Sequence, residues 1–190
     1  KATFLRSSYG QGFRFPTITE RYIRTGVGNL GVFPNPQLLP ETSWNAEIGI
    51  KQGIKLGTVL GYLDVAGFWQ EYQNTIEYMF GAWGDVSSGA PISSVFGFEF
   101  RNTGNSRVQG IDASLAGSVS LGKKSDLTFL CGYTYIVPKT LNPDYIYATD
   151  SLNRKFSYNT TSLDSTSKIL KYRFLHNVKI DMEYTFAKKF

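Results

Sequence analysis

The stretch that decides the fold is NVKIDMEYTF, at residues 177–186. Apolar side chains fill every second position, and polar or charged side chains fill the positions between them. Successive side chains of a β-strand point to opposite faces of a sheet, so this pattern predicts a strand with one apolar and one polar face. An amphipathic helix would instead repeat its apolar positions with a period of about 3.6 residues.

The same alternation recurs along the chain and predicts six strands, at about residues 2–10, 44–53, 59–72, 101–121, 126–137 and 171–187. The connections alternate between long (11–42, 73–100 and 138–170) and tight (54–58 and 122–125). Long loops on one rim and short turns on the other are typical of outer-membrane barrels, whereas a soluble sandwich usually has loops of mixed short length at both ends. Residues 1–190 are therefore predicted to be an all-β, antiparallel section of a transmembrane β-barrel, with the long loops outside.

Composition agrees with this prediction and adds a constraint on closure. Of the 190 residues, 15% are aromatic and 19 are glycine, which is a β-rich mixture. No apolar run approaches the roughly 20 residues of a membrane helix, so any crossing must be by strands. Hydrocarbon offers no hydrogen-bond partner to the backbone, so every strand edge in a membrane must pair with another strand. The smallest barrels that close in this way have about eight strands. We therefore expect neighbouring strands, and a plug, outside these residues.

Several function classes are disfavoured by residue content. The net charge is +5, but the basic residues are scattered, so no nucleic-acid partner is expected. Cys131 is the only cysteine and His176 the only histidine, which removes an internal disulfide and the common zinc ligand sets. Residues 26–31 (GVGNLG) match a dinucleotide fingerprint, yet prolines follow where a helix would have to begin. We predict no catalytic residues, metal or cofactor, and thus no enzyme.

Three motifs carry a family resemblance. Residues 6–22 (RSSYGQGFRFPTITERY) resemble the strand-to-loop signature of TonB-dependent receptor barrels. Residues 35–47 (NPQLLPETSWNAE) are similar to that family's NPxLxPE stretch, which leads into the next inward strand. Residues 102–104 (NTG), followed by 107–112 (RVQGID), are similar to the N-x-G…GxE start of a later strand, with Asp in place of Glu.

The resemblance implies a late section of a 22-stranded barrel in the outer membrane, whose N-terminal plug and TonB box are absent from this chain. It implies energised uptake of a scarce ligand, such as an iron siderophore, haem or a cobalamin, driven by the TonB complex through those absent parts. Outer-membrane lipid and lipopolysaccharide would surround the barrel. The motif residues are expected to shape the base of a loop, and they are Arg14, Pro16, Glu20, Asn35, Pro36, Pro40 and Glu41.

Aromatic and cationic residues of the outer loops are candidates for contact with the ligand, namely Phe13, Arg14, Trp83 and Tyr145. Other aromatic residues near the outer strand ends are expected to form a girdle at the lipid headgroups, namely Trp44, Trp69, Tyr133, Tyr135, Tyr172 and Phe174. The polar faces are expected to line the lumen, with Asn45, Glu47, Lys51, Asp64, Asp112, Ser114, Lys179, Asp181 and Glu183.

Two other readings of the same pattern stay open at this point. A passive porin or adhesin barrel would share the alternating strands, but it would lack a plug. A soluble carbohydrate-binding β-sandwich would pack its apolar faces against each other instead of against lipid.

Overall fold

The computed structural model describes residues 2–87, 89–122, 124–170 and 173–186. In chain order the elements are β1 (Thr3–Arg14), α1 (Ile18–Tyr22), β2 (Thr25–Val27), β3 (Leu30–Phe33), β4 (Glu41–Leu56), β5 (Val59–Gln73), β6 (Ile76–Gly81), α2 (Ile92–Val95), β7 (Gly97–Asn102), β8 (Ser106–Ser120), β9 (Ser125–Thr140), β10 (Ala148–Thr149), β11 (Lys155–Phe156), α3 (Tyr158–Thr161) and β12 (His176–Phe186). None of the described helices is long and apolar enough to cross a membrane.

Six long strands form one antiparallel sheet, the main sheet, in the order β1-β4-β5-β8-β9-β12. Tight turns join its strands at one end, the turn end, where Gly57 and Gly122 adopt positive φ values of 59° and 100°. The long connections all lie at the opposite end, the loop end. The predicted all-β, antiparallel fold is confirmed. Within the described residues the sheet does not close, because β1 and β12 each pair with one neighbour.

The strand register places most of the apolar positions of the six strands on one side of the main sheet. Leu5 lies opposite Ile50, and Ile50 lies opposite Val65. Directly opposed residues share a face, and the same parity continues to β12, where His176 lies opposite Tyr135. We call this side the apolar face and the other side the polar face.

Most of the apolar face is uncovered. Ile48 is 70% exposed and Ile180 is 66% exposed. The buried hydrophobic residues are Val32, Phe33, Leu38, Ala66, Ala82, Val95, Ala148 and Tyr158, and of these only Ala66 belongs to the main sheet. No described strand packs across the apolar face, whereas a soluble sandwich would bury it under a second sheet. The compact core lies instead among the long connections.

Two of the long connections together build a second sheet, the loop sheet, in the order β2-β3-β7-β6. Its central pair, β3 and β7, is parallel and places Gly31 opposite Gly97. A Cβ on Gly97 would lie 1.8 Å from the carbonyl oxygen of Gly31, so this close approach requires glycine. The sheet therefore depends on contacts between distant parts of the sequence.

The structure divides the range 101–121, predicted as one strand, between two sheets. β7 ends at Asn102 in the loop sheet, and β8 begins at Ser106 in the main sheet. Gly104 lies between them with a φ of 101°, which breaks the extended backbone. Of the strand predicted at 171–187, the structure has β12 from His176 to Phe186. Residues 171, 172 and 187 lie outside the described residues, so the girdle prediction for Tyr172 also lies outside them.

Candidate functional site

Four aromatic rings lie on one face of the loop sheet. The register places Tyr78 opposite Phe100 and Phe80 opposite Phe98. Tyr78 stacks on Phe98 with ring centroids 4.8 Å apart and an interplanar angle of 11°. Tyr78 also contacts Phe100 at 4.7 Å, and Phe80 meets Phe98 edge-on at 5.3 Å. These rings, which we call the aromatic face, are held by β6 and β7 and remain partly open to solvent.

A cleft of about 610 Å³ runs along the aromatic face. Its lining includes the four rings together with Met79, Thr161 and Arg173. Small-molecule sites typically measure about 300–1,000 Å³ and combine an apolar lining with a few polar groups. Burial raises the pKa of Tyr78 above the ordinary value of a phenol. The cleft thus offers apolar ring surface together with the guanidinium group of Arg173 and the carboxylate of Glu77.

The opposite face of the loop sheet is closed by packing. Glu99 is buried and pairs with Arg101, whose Nη2 lies 2.7 Å from Glu99 Oε2. Burial raises the pKa of Glu99, and the charge and hydrogen bond of Arg101 oppose that rise. The Trp83 ring lies under the Arg101 guanidinium at 4.8 Å and contacts Phe156 at 5.2 Å. Its Nε1 donates to the carbonyl oxygen of Met79 at 3.0 Å, so Trp83 supports the sheet from behind the aromatic face.

Asp150 holds in place the third long connection, which brings Phe156 into contact with Trp83. Its side chain is fully buried. Its Oδ1 accepts backbone hydrogen bonds from Leu152 (3.0 Å) and Arg154 (2.9 Å), and its Oδ2 accepts from the Ala82 N–H (3.3 Å) and the Arg154 side chain (2.8 Å). Burial alone would raise the pKa of Asp150, but these bonds outweigh it and lower the pKa. The carboxylate therefore joins the third long connection to the second.

Three of the predicted loop-base residues form one ionic cluster at the loop end. Arg14 Nε donates to Glu41 at 2.6 Å, and its Nη1 donates to Glu20 at 2.8 Å. Glu20 also accepts from the Thr17 N–H at 2.7 Å, completing a capping box at the start of α1. Burial alone would raise the pKa of Glu20, but the bonds from Thr17 and Arg14 lower it. Because Glu41 also accepts from the Ile76 N–H at 2.6 Å, the cluster links β1, α1, β4 and β6.

The remaining motif residues lie beside this cluster. Asn35 is buried; its Nδ2 donates to the Phe100 carbonyl oxygen at 2.8 Å and its Oδ1 accepts from the Gln37 N–H at 3.1 Å. Pro36 follows it, and the Pro40 carbonyl oxygen accepts from Asn74 Nδ2 at 3.4 Å. Pro16 directly precedes the capping Thr17. Asn35 therefore attaches the motif segment to the strand that carries Phe98 and Phe100.

The described contacts do not bring the four predicted ligand residues together. Phe13 lies on the apolar face of the main sheet, opposite Thr42, and is 72% exposed. Arg14 lies on the polar face and is held by two carboxylates. Trp83 is packed behind the loop sheet, and Tyr145 is exposed beside Gly104. Their roles in binding stay predictions.

Sequence reasoning missed the aromatic face as a unit, and it missed Asp150. The only signals were two short alternations, Ile76-Glu77-Tyr78-Met79-Phe80 and Phe98-Glu99-Phe100. Each is typical of a strand with one aromatic face, but their pairing is a tertiary contact.

The polar face of the main sheet carries paired charges. Arg6 bridges two strands, with its Nη1 2.5 Å from Glu47 and its Nη2 2.9 Å from Asp64. The Lys51 ammonium lies 3.7 Å from the centre of the Tyr62 ring. Among the described residues, no group of three or more His, Cys, Asp or Glu side chains is arranged to hold a metal ion.

Comparison with known proteins identifies the family. The model of the TonB dependent receptor-like β-barrel family matches residues 2–179. The chain is 28% identical over 137 residues to the haemoglobin and haemoglobin-haptoglobin-binding protein A of Haemophilus influenzae, a match that covers 71% of this chain and 12% of that protein. A double mutant of the Serratia marcescens haemophore receptor HasR, solved with its haemophore HasA and haem, superimposes with a TM-score of 0.59 at 20% identity, covering 97% of this chain and 25% of that chain. The chain therefore spans a minor part of the length of both proteins. It belongs to the family of TonB-dependent receptor β-barrels.

Proposed function

We propose that this chain is part of an outer-membrane receptor that takes up haem by energised transport. Members of its family are transport receptors and not enzymes. The observation that carries the proposal is the aromatic cleft on the loop sheet, with Arg173 in its lining. Two similar proteins support it, because one is named for binding haemoglobin and the other was solved with a haemophore and haem.

The chemistry of the cleft suits haem. Haem is a flat, largely apolar macrocycle that carries carboxylate groups at one edge. The four rings of the aromatic face offer apolar edges and faces against which the macrocycle can pack, and each well-placed aromatic contact contributes about 0.5–1.5 kcal/mol beyond its area burial. The Arg173 guanidinium can form a charge-assisted hydrogen bond with a carboxylate. Stacking and charge pairing together would hold the ligand at the loop end.

Iron ligation by imidazole is not part of this cleft. His176, the only histidine, lies on the apolar face of the main sheet, where its Nδ1 lies 2.8 Å from the Tyr133 hydroxyl. Haem iron in proteins is held by His, Cys, Met or Tyr side chains, and the cleft lining includes two of these types, Tyr78 and Met79. The contribution that we propose for the cleft is capture of the macrocycle by its rings.

The main sheet would supply the membrane-spanning wall. Its apolar face would contact acyl chains, and its polar face, with the Arg6 network, would line a plugged lumen. Energy would come from the TonB complex acting through parts of the receptor outside this chain. A passive porin or adhesin barrel shares this wall, so transport must be tested directly.

The test uses the full-length receptor in a Gram-negative host that cannot synthesise haem, with and without the TonB complex. We expect growth on external haem only when receptor and complex are both present. The double variant Tyr78→Ala/Phe98→Ala should need more haem for the same growth, and the purified receptor should show a weaker Soret shift on titration with haem. Tyr22→Ala, an exposed aromatic in α1, is the matched control. Haem-dependent growth without the TonB complex would contradict energised transport. Growth of the double variant equal to that of the wild type would contradict the proposal that the cleft binds haem.

A further inference from the structure

The Tyr78 hydroxyl is the one polar group that the four rings of the aromatic face present to the cleft. The other three rings belong to phenylalanines. Within the described part of the chain the hydroxyl makes no hydrogen bond, although burial of the phenol is sufficient to raise its pKa. A tyrosine hydroxyl usually finds a partner when the ring is buried. The cleft therefore contains a phenol oxygen that is open to a bound ligand.

Strand geometry places this oxygen at the outer edge of the aromatic face. Side chains of a strand stand roughly perpendicular to the sheet, and the hydroxyl is the end of the phenol ring that lies furthest from the backbone. The Phe98 and Phe100 rings flank Tyr78 at centroid distances of 4.8 and 4.7 Å. A flat macrocycle lying across the ends of these rings would meet the oxygen with its centre and the phenyl rings with its periphery. In haem, the atom at that centre is iron.

Tyr78 is the only side chain on the aromatic face that belongs to a type known to bind haem iron. Met79, the other such residue in the cleft lining, lies opposite Glu99, which is buried on the closed face of the loop sheet. Directly opposed residues share a face, so the Met79 thioether lies on the closed face too. The single histidine and the single cysteine of the chain lie in the main sheet, in β12 and β9.

We propose that the Tyr78 oxygen binds the iron of ferric haem as a phenolate. This inference rests on the proposed function, because it concerns haem held in the same cleft. The phenol O–H bond breaks and the proton goes to water, as is usual when a protein side chain binds a metal. A lone pair of the oxygen forms the bond to iron, and a water molecule leaves the iron. No electron is transferred, so the step needs neither an oxidant nor a reductant.

This bond would give the cleft a selectivity that its rings cannot provide. Aromatic rings pack against any flat porphyrin, whether or not it holds a metal. An anionic oxygen is a hard ligand and favours Fe³⁺ over Fe²⁺, and tyrosine is an axial ligand of haem in some proteins. The Tyr78 oxygen would therefore distinguish ferric haem from the metal-free macrocycle.

The test compares the full-length receptor in detergent with Tyr78→Phe, which removes the oxygen and keeps the ring. Absorption follows titration with ferric haem, and quenching of tryptophan fluorescence follows titration with iron-free protoporphyrin. Loss of a group that supports a metal ligand lowers metal affinity by about 10–100-fold, so loss of the ligand itself should lower the affinity for ferric haem at least about tenfold. The affinity for protoporphyrin should not change. Tyr22→Phe, in α1 outside the cleft, is the matched control and should bind both compounds as the wild type does.

The wild-type complex also tests the assignment without any variant. A phenolate bound to ferric iron produces a charge-transfer absorption band and phenolate vibrations in the resonance Raman spectrum, and the wild-type complex must show both. Heat-modifiable mobility in gels confirms that each variant folds as a barrel. Tyr78→His, which offers an imidazole in place of the phenol, should bind ferric haem more tightly than Tyr78→Phe.

The outcomes separate this inference from the proposed function. If Tyr78→Phe binds ferric haem with the affinity and spectrum of the wild type, iron ligation by Tyr78 is overturned and capture by the rings stands. An equal loss of affinity for haem and for protoporphyrin would also overturn it, because the hydroxyl would then support packing and not iron binding. If the wild-type receptor binds neither compound, both the inference and the proposed function fail.

Discussion

Substituting asparagine for Asp150 tests whether one buried carboxylate holds the outer loops together. Its two oxygens accept hydrogen bonds from three backbone N–H groups and from the Arg154 side chain. An asparagine amide has the same shape but turns one acceptor oxygen into a donor group. Whichever way the amide is oriented, its NH₂ group faces donors, and at least two hydrogen bonds are lost.

The expected cost follows from these contacts. A hydrogen bond to a charged group contributes about 1.5–3 kcal/mol. Because the Arg154 side chain is 50% exposed, its ion pair with Asp150 is discounted for solvent screening. The remaining loss of stability is about 2–4 kcal/mol. Because each 1.36 kcal/mol changes an equilibrium constant by a factor of ten, the equilibrium constant for local opening of residues 148–156 should increase about 30- to 900-fold.

Hydrogen exchange of the full-length receptor measures this opening. The Leu152 and Arg154 amides, which donate to the carboxylate, should exchange faster in the Asn variant, while amides of β8 and β9 should not change. The pKa of Asp150 is lowered in the folded state. Its stabilising contribution is therefore complete above the unfolded pKa and is lost as the pH falls through the folded pKa. Wild-type protection, corrected for intrinsic exchange, should fall in that acidic window, and that of the variant should not.

The control is Asp144→Asn, which removes an exposed charge from the same connection. Unchanged exchange at Leu152 and Arg154 in the Asp150 variant would refute the assignment of Asp150 as the fastening residue. Equal acceleration in both variants would mean that loop charge, and not this set of hydrogen bonds, controls the opening.

Three further changes test other parts of the structure. Gly97→Ala places a methyl group 1.8 Å from a carbonyl oxygen of β3, so the loop sheet should lose exchange protection while the barrel still assembles. Ile180→Lys on the apolar face should cost about 2–4 kcal/mol in urea unfolding in lipid vesicles, whereas Asp181→Asn on the polar face should have little effect. Arg14→Gln leaves its two carboxylate partners without their guanidinium, so trypsin should cleave faster after Arg21 in α1.

The main sheet could be predicted from the sequence because the two faces of each long strand meet different surroundings, lipid on one side and the lumen on the other. A strand between lipid and lumen must alternate apolar and polar side chains along its whole length. The alternation in β12 and β4 therefore repeats often enough to be recognised in the sequence. The loop sheet offers no such pattern, since β2, β3, β6 and β7 have between three and six residues. Its pairing depends on contacts between separate connections, which no local pattern encodes.

The site was less predictable than the fold for a related reason. Trp83 and Tyr145 were chosen as aromatic residues in loops, but composition does not say which side a ring faces. Trp83 instead packs against Arg101 and Phe156, and the cleft belongs to rings on two short strands. The motif residues Arg14, Glu20 and Glu41 do meet, although what binds near them remains a prediction.

The polar face also explains why the main sheet keeps one register. Arg6 reaches from β1 across β4 to Asp64 on β5, and it passes over Gly49, where a Cβ would lie 2.9 Å from the Arg6 Nε. A shift of one residue between β4 and β5 would turn Asp64 toward the apolar face and break this bridge, because side chains alternate with a period of two. In hydrocarbon the same shift would also expose a carboxylate to lipid. Glycine at position 49 and the two carboxylates bound to Arg6 therefore select the register that the alternation of apolar residues independently requires.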